Sequence, residues 1–240
     1  MARMAPLIAV IGCDGSGKST VSSDLIAWVG QHYGRTSGSY LGLKSGAIGN
    51  WIKGLPLIGP PVERALQKRA KQARSKTGKI AGLPTALVLY GFSLLRELRF
   101  KRMLALREQS VIVVADRYPQ VEVPGFYDGP GLSAAPSRSR FVRFLADREA
   151  GLYRWMAGFK PDLVIRLNVD LDTARARKPD HADELLAQKI AVTPKLTFGG
   201  AELIELDSSK PLDTVLESAR QAVAAKLDAM GYAREDEIAA

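Results

Sequence analysis

Apolar positions along the chain follow two alternating patterns. Nearly unbroken apolar runs occur at 7–11, 111–115 and 163–169. Runs of this length predict strands buried on both faces. A shorter run at 202–206 predicts a last strand, and a second strand is expected near 39–43. Between these runs, apolar residues recur at helical spacing. Val21, Leu25, Ile26 and Val29 predict a helix over 19–29. Leu87, Phe92, Leu95, Leu98, Met103 and Leu106 predict a long helix over 84–108, with Pro84 in its first turn. Further helices are expected at 62–73 (basic and exposed), 141–159, 171–178, 183–190 and 212–230. The proline- and glycine-rich stretch 119–136 reads as a long functional loop.

Strands alternating with helices predict a three-layer α/β/α fold around a parallel sheet. In such sheets ligands lie beyond the carboxyl ends of the strands. The chain has 240 residues, 46% hydrophobic and 25% charged, which is a globular composition. It reads as one domain over 1–240, interrupted by a basic insertion over about 40–83. Its single cysteine, Cys13, rules out an intramolecular disulfide and fits a reducing compartment. No apolar run approaches the ~20 residues of a spanning helix, so a cytoplasmic protein is expected. The net charge of +9 favours anionic partners without choosing among them. Part of it is local: Arg64, Lys68, Arg69, Lys71, Arg74, Lys76 and Lys79 cluster in the insertion.

Two predicted strand ends carry distinctive chemistry. The first is Gly12-Cys13-Asp14-Gly15-Ser16-Gly17-Lys18-Ser19, followed by Thr20. It fits G-x-x-x-x-G-K-[ST], with a strand before it and a helix after it. Glycines at 12, 15 and 17 let successive backbone N–H groups converge on one phosphate. The helix adds the positive end of its dipole. Lys18 is expected to reach the β and γ oxygens of ATP, and Ser19 to ligate Mg²⁺. The second strand end is Asp116, placed to stand beside that metal.

The residue after Asp116 is Arg117, which cannot serve as a water-activating base. A guanidinium there can hold a phosphate or stabilise transferring charge, which favours transfer over hydrolysis. The chain also lacks the Asn-Lys-x-Asp of a guanine-reading GTPase.

These motifs together resemble the thymidylate kinases. Asp14 inside the glycine loop, Asp116-Arg117-Tyr118, Phe92-x-x-x-Arg96, Lys160-Pro161-Asp162-Leu163 and Ala174-Arg175-Ala176-Arg177 carry the likeness over most of the chain. The resemblance implies a P-loop kinase that moves the γ-phosphoryl of Mg-ATP to a nucleoside monophosphate, dTMP first. It implies that Phe92 stacks on the acceptor base and that Arg96 hydrogen-bonds the base edge. Arg117 would clamp the acceptor phosphate, and Asp14 would touch the sugar. Arg177, with Arg175 or Lys178, would close from a lid over about 170–200. A homodimer is implied as well.

The sequence departs from that family in two places. After Tyr118 comes the unrelated stretch 119–130. After the second strand comes Leu43-Lys44-Ser45-Gly46, where Lys44 is the candidate replacement for an acceptor-binding arginine, without the guanidinium fork. The acceptor could therefore be another nucleotide, a sugar or a pathway metabolite. A nucleic-acid-binding ATPase is a further alternative, but no platform of aromatic and basic residues supports it. A nucleotide-binding scaffold is another, and intact Lys18, Ser19 and Asp116 argue against it. Trp51, Ile52, Leu55, Leu57 and Ile58 beside the basic helix could touch an anionic membrane, although packing within the insertion is the simpler reading.

Overall fold

A computed structural model describes residues 4–42, 83–134, 137, 139–179, 181 and 183–234. The expected helix over 62–73, Lys44 and the apolar cluster at 51–58 lie outside the described residues.

Five parallel strands form the central sheet: β1 (Leu7–Gly12), β2 (Thr36–Tyr40), β3 (Ile112–Asp116), β4 (Leu163–Asn168) and β5 (Leu203–Asp207). Their order is β2-β3-β1-β4-β5. The helices are α1 (Lys18–His32), α2 (Leu83–Glu108), α3 (Arg140–Ala157), α4 (Leu171–Arg177), α5 (Asp183–Val192) and α6 (Leu212–Ala229). This is an α/β fold of the P-loop type, as the alternation of patterns predicts.

Side-chain alternation along the strands builds one core on each face of the sheet. Ile8, Val10, Val114, Ile165 and Leu167 pack against Leu25 and Val29 of α1 and Val215, Val223 and Leu227 of α6. Leu7, Ala9, Ile11, Val113 and Val164 face the other way, onto Phe100 and Met103 of α2 and Tyr153 and Met156 of α3. Every residue of β1 is buried. That explains its apolar run, and why its loop emerges at the centre of the sheet.

Two sequence expectations require correction. The second strand lies at Thr36–Tyr40, earlier than 39–43. It is an edge strand of small and polar residues, so no apolar run marks it. The fully buried Leu41 just past its end drew the expectation forward.

The second correction concerns the inner face of α2. Leu87, Leu95 and Leu98 are 48%, 42% and 53% exposed, while Ser93, Arg96 and Arg107 are buried. Hydrophobic periodicity assumes that arginines face water, and these two have partners inside. Arg107 donates to the Ala5 carbonyl (2.6 Å) and to Asp162 (3.1 Å). Asp162 also accepts from the Leu7 N–H (2.8 Å), so it joins the start of β1 to the end of α2.

Candidate functional site

The phosphate loop leaves β1 at Gly12 and enters α1 at Lys18. Gly15 and Gly17 have φ of +85° and +82°, the left-handed region that glycine tolerates. At Gly15 space matters too. A Cβ there would stand 2.8 Å from the Ala174 carbonyl oxygen, so α4 packs directly on the loop. The Lys18 ammonium curls back to donate to the Cys13 carbonyl at 2.6 Å. Burial holds Lys18 below the usual lysine range, opposed by the charges of Asp14 and Asp116. Burial pushes the Cys13 thiol up, which favours its protonated form.

Two cavities meet at this loop. The larger, about 400 Å³, is lined by Gly15, Gly17, Lys18, Ser19, Thr20, Asp116, Arg177 and Lys178 among others. The smaller, about 80 Å³, is lined by Cys13, Tyr118, Tyr127, Asp128 and Lys189 among others. Asp14, Lys18 and Arg117 belong to both walls.

Asp116, at the tip of β3, has one carboxylate oxygen buried without a hydrogen-bond partner. Burial raises its pKa, offset in part by Lys18 and Arg117. With the Ser19 hydroxyl in the same wall, an orphaned carboxylate oxygen supplies the hard oxygen donors that a small divalent cation takes. Among the described residues no group of three or more His, Cys, Asp and Glu could hold a metal by itself.

Arg117 follows with φ of +60°, an uncommon conformation for a side-chain-bearing residue. Gly42 makes room for it, since a Cβ at Gly42 would overlap the Arg117 Cδ. Arg99 donates to the Gly42 carbonyl and so fixes that approach. The Arg117 guanidinium lies 3.8 Å from Asp14 on one side and 3.8 Å from Asp128 on the other.

The expected lid residues separate. Arg177 donates to the Gly15 carbonyl at 3.2 Å, and Lys178 lines the larger cavity. Arg175 is turned to Asp183, with its Nε 2.7 Å from that carboxylate. From α5, Lys189 donates to Asp14, and His181 lies 3.6 Å from the same carboxylate. Burial opposes ionisation of Asp14, but Lys189, Lys18 and Arg117 outweigh it and hold the carboxyl below its usual range.

The two base-reading candidates stand apart from both cavities. Phe92 is half-buried in α2 and lines neither of them. Arg96 is buried, donating to the Asp128 carbonyl (2.6 Å) and carboxylate (2.6 Å), with its guanidinium 5.7 Å from the centre of the Tyr153 ring.

The loop after Tyr118 is organised by Gln120, 1% exposed, whose amide donates to the carbonyls of Val123, Phe126 and Tyr127. Glu122 accepts from Thr197 N–H (2.6 Å) and Gly199 N–H (3.0 Å), which ties the loop to the segment before β5. Burial opposes the Glu122 charge, but these donors prevail and its pKa is lowered. Tyr127 and Asp128 are then held at φ of +49° and +60°. Sequence reasoning marked this loop and the 170–200 region as functional. It did not single out Tyr127, Asp128, His181 or Lys189, because none falls in a spaced motif.

Strand, glycine loop and helix at the centre of a parallel sheet define a P-loop protein. No model of a known protein family matches the chain. It is 46% identical over 222 residues to the uncharacterized ATP-binding protein YghS of Escherichia coli K12, covering 92% of this chain and 93% of that protein. It is 44% identical over 218 residues to the uncharacterized ATP-binding protein YghR of the same strain, covering 90% of this chain and 86% of that protein. The same match holds for YghR of E. coli O6:H1 strain CFT073. The chain belongs to the family of these proteins. No helix among the described residues is long and apolar enough to cross a membrane.

Proposed function

We propose that the protein is an ATP-dependent phosphotransferase that passes the γ-phosphoryl group to a small acceptor. The observation that carries this reading is the meeting of two cavities at Asp14, Lys18 and Arg117. A hydrolase needs one nucleotide cavity and a water. Here a second cavity opens on the far side of the residues that would face the γ-phosphorus. The ATP-binding names of YghS and YghR support the donor half.

In this reading the phosphate loop N–H groups and Lys18 hold the β and γ phosphates in the larger cavity. Ser19 and Asp116 would hold Mg²⁺, which would supply neutralisation of charge on the phosphates. An acceptor oxygen in the smaller cavity forms a bond to the γ-phosphorus as the bond to the β,γ-bridging oxygen breaks and ADP leaves; the proton of a hydroxyl acceptor passes to the Asp14 carboxylate, which borders both cavities. Arg117 and Arg177 stabilise charge on the phosphoryl oxygens, with Lys178 in the wall of the larger cavity and Lys189 in that of the smaller. Catalysis is positioning and charge neutralisation.

The motifs point first to a nucleoside monophosphate acceptor, with dTMP to dTDP as the reaction to test. A second reading, a kinase of the same fold acting on a different small acceptor, is favoured by the pairing of Arg96 with Asp128. The test is ADP release from Mg-ATP across dTMP, the other nucleoside monophosphates, sugars and sugar phosphates, with Lys18→Ala as the blank. Acceptor-dependent ADP release supports the kinase. ADP release that no acceptor stimulates would sink it.

A further inference from the structure

We infer that Asp128 sets the acceptor class, and that the smaller cavity takes a hydroxyl-rich acceptor of the sugar or sugar-phosphate kind rather than a nucleobase. This deepens the kinase reading and rests on it. A guanidinium reads a base edge only if its N–H groups are free to point at the base. Both terminal nitrogens of Arg96 are used by Asp128, one on the carbonyl and one on the carboxylate, each at 2.6 Å. The Arg96 side chain is 4% exposed and lies outside the cavity wall.

What Asp128 adds on the cavity side is a second carboxylate. Asp14 and Asp128 flank Arg117 at 3.8 Å each, in a wall that Lys18 and Lys189 also line, so two acids stand among three cations. Ionised carboxylates only accept hydrogen bonds, which suits ligand hydroxyls, while Lys18, Arg117 and Lys189 in the same wall can take a phosphate. Tyr127 and Tyr118 also line this wall and add aromatic surface against which the C–H groups of a saturated ring can pack.

The placement is built into the loop. Gln120 anchors three carbonyls of the turn. A Cβ on Gly129 would stand 2.5 Å from the Gln120 amide nitrogen, so the chain closes there without a side chain. Tyr127 and Asp128 are both held in left-handed backbone, a conformation that costs energy and persists where the surroundings enforce it. A site built to bind hydroxyls rejects ligands that lack them far more strongly than an apolar pocket rejects a change of size.

The experiment is calorimetric titration of D-glucose, D-ribose, glucose 6-phosphate, ribose 5-phosphate and dTMP into the full chain saturated with a non-hydrolysable ATP analogue. Wild type, Asp128→Asn and the double variant Arg96→Gln/Asp128→Asn are compared. The double variant removes both charges, so it leaves no buried guanidinium unbalanced. At least one sugar or sugar phosphate is expected to bind at least tenfold more tightly than dTMP. Both variants are expected to weaken it tenfold or more. Binding of none of the four, tighter binding of dTMP, or affinity unchanged in both variants would overturn the inference. Sugar binding without ADP formation from ATP would overturn the kinase reading and leave this one standing. ADP formation with dTMP alone would do the reverse.

Discussion

Lys189 of α5 donates its ammonium to Asp14 inside the phosphate loop, so the segment after α4 is fastened to the residue between the two cavities. The contact has a pH signature. Asp14 is held below the usual carboxylate range, so it contributes stability above the unfolded value of about 4 and loses it as pH falls through the folded value. Lys189→Ala removes the leading stabiliser of that charge. Both side chains keep some solvent, so the expected loss is about 1 kcal/mol or less at pH 7. The gap between wild type and variant should narrow as pH falls from 7 through and below about 4. Urea denaturation across that range checks this, and a gap independent of pH would exclude the contact as its source.

Lys18→Met separates activity from stability. Burial disfavours the Lys18 charge, so the fold gains little from keeping it. Acceptor-dependent ADP release is expected to fall by about 10²- to 10³-fold, the range for losing one charge-stabilising donor. The melting temperature should stay within about 3 °C of wild type or rise. A large drop in melting temperature with activity preserved would reverse the assignment.

Gly15→Ala tests the seat of α4 on the phosphate loop. The added Cβ meets the Ala174 carbonyl, and the backbone φ of +85° is unfavourable to alanine. A cost of about 1–3 kcal/mol is expected from overpacking, together with loss of ATP binding as α4 is pushed outward. Thermal unfolding and binding of a fluorescent ATP analogue read the two effects. Unchanged ATP affinity would mean that the α4 seat is not part of the nucleotide site.

Glu149 of α3 is 1% exposed and accepts from the Leu132 N–H (2.6 Å) and the Ser93 hydroxyl (2.7 Å). Glu149→Ala leaves a buried backbone donor unsatisfied, for an expected cost of about 1–3 kcal/mol. Hydrogen exchange should quicken at Leu132, where the segment after Asp128 meets α3. Glu149→Gln retains an acceptor oxygen and should recover part of the loss. Equal losses in the two variants would place the effect elsewhere.

Most of the fold was legible in the sequence because a strand buried on both faces must be apolar along its buried length, as β1 and residues 112–115 of β3 are. The phosphate loop was legible because a cradle of N–H groups dictates glycine positions. The buried face of α2 was not, because Arg96 and Arg107 are tolerated inside only through Asp128 and Asp162, far away in sequence. The surroundings of Asp14 and Arg117 were illegible for a related reason. Asp128, Lys189 and His181 converge there from a loop and the segment after α4, and single-sequence spacing records no contact between distant segments.

The sheet order has a consequence for synthesis. β1 leaves the ribosome first and lies at the centre, yet its partners Val113 and Leu163 are made much later. At about 5–20 residues per second, the nascent Leu7–Gly12 segment waits roughly 8–30 s for its second neighbour. During that interval the phosphate loop has at most the β2-β3 half of its sheet to hold it. Nucleotide can therefore rescue a slow-folding chain only after translation has passed β4. A nascent chain stalled before Leu163 will gain no protease resistance from added ATP.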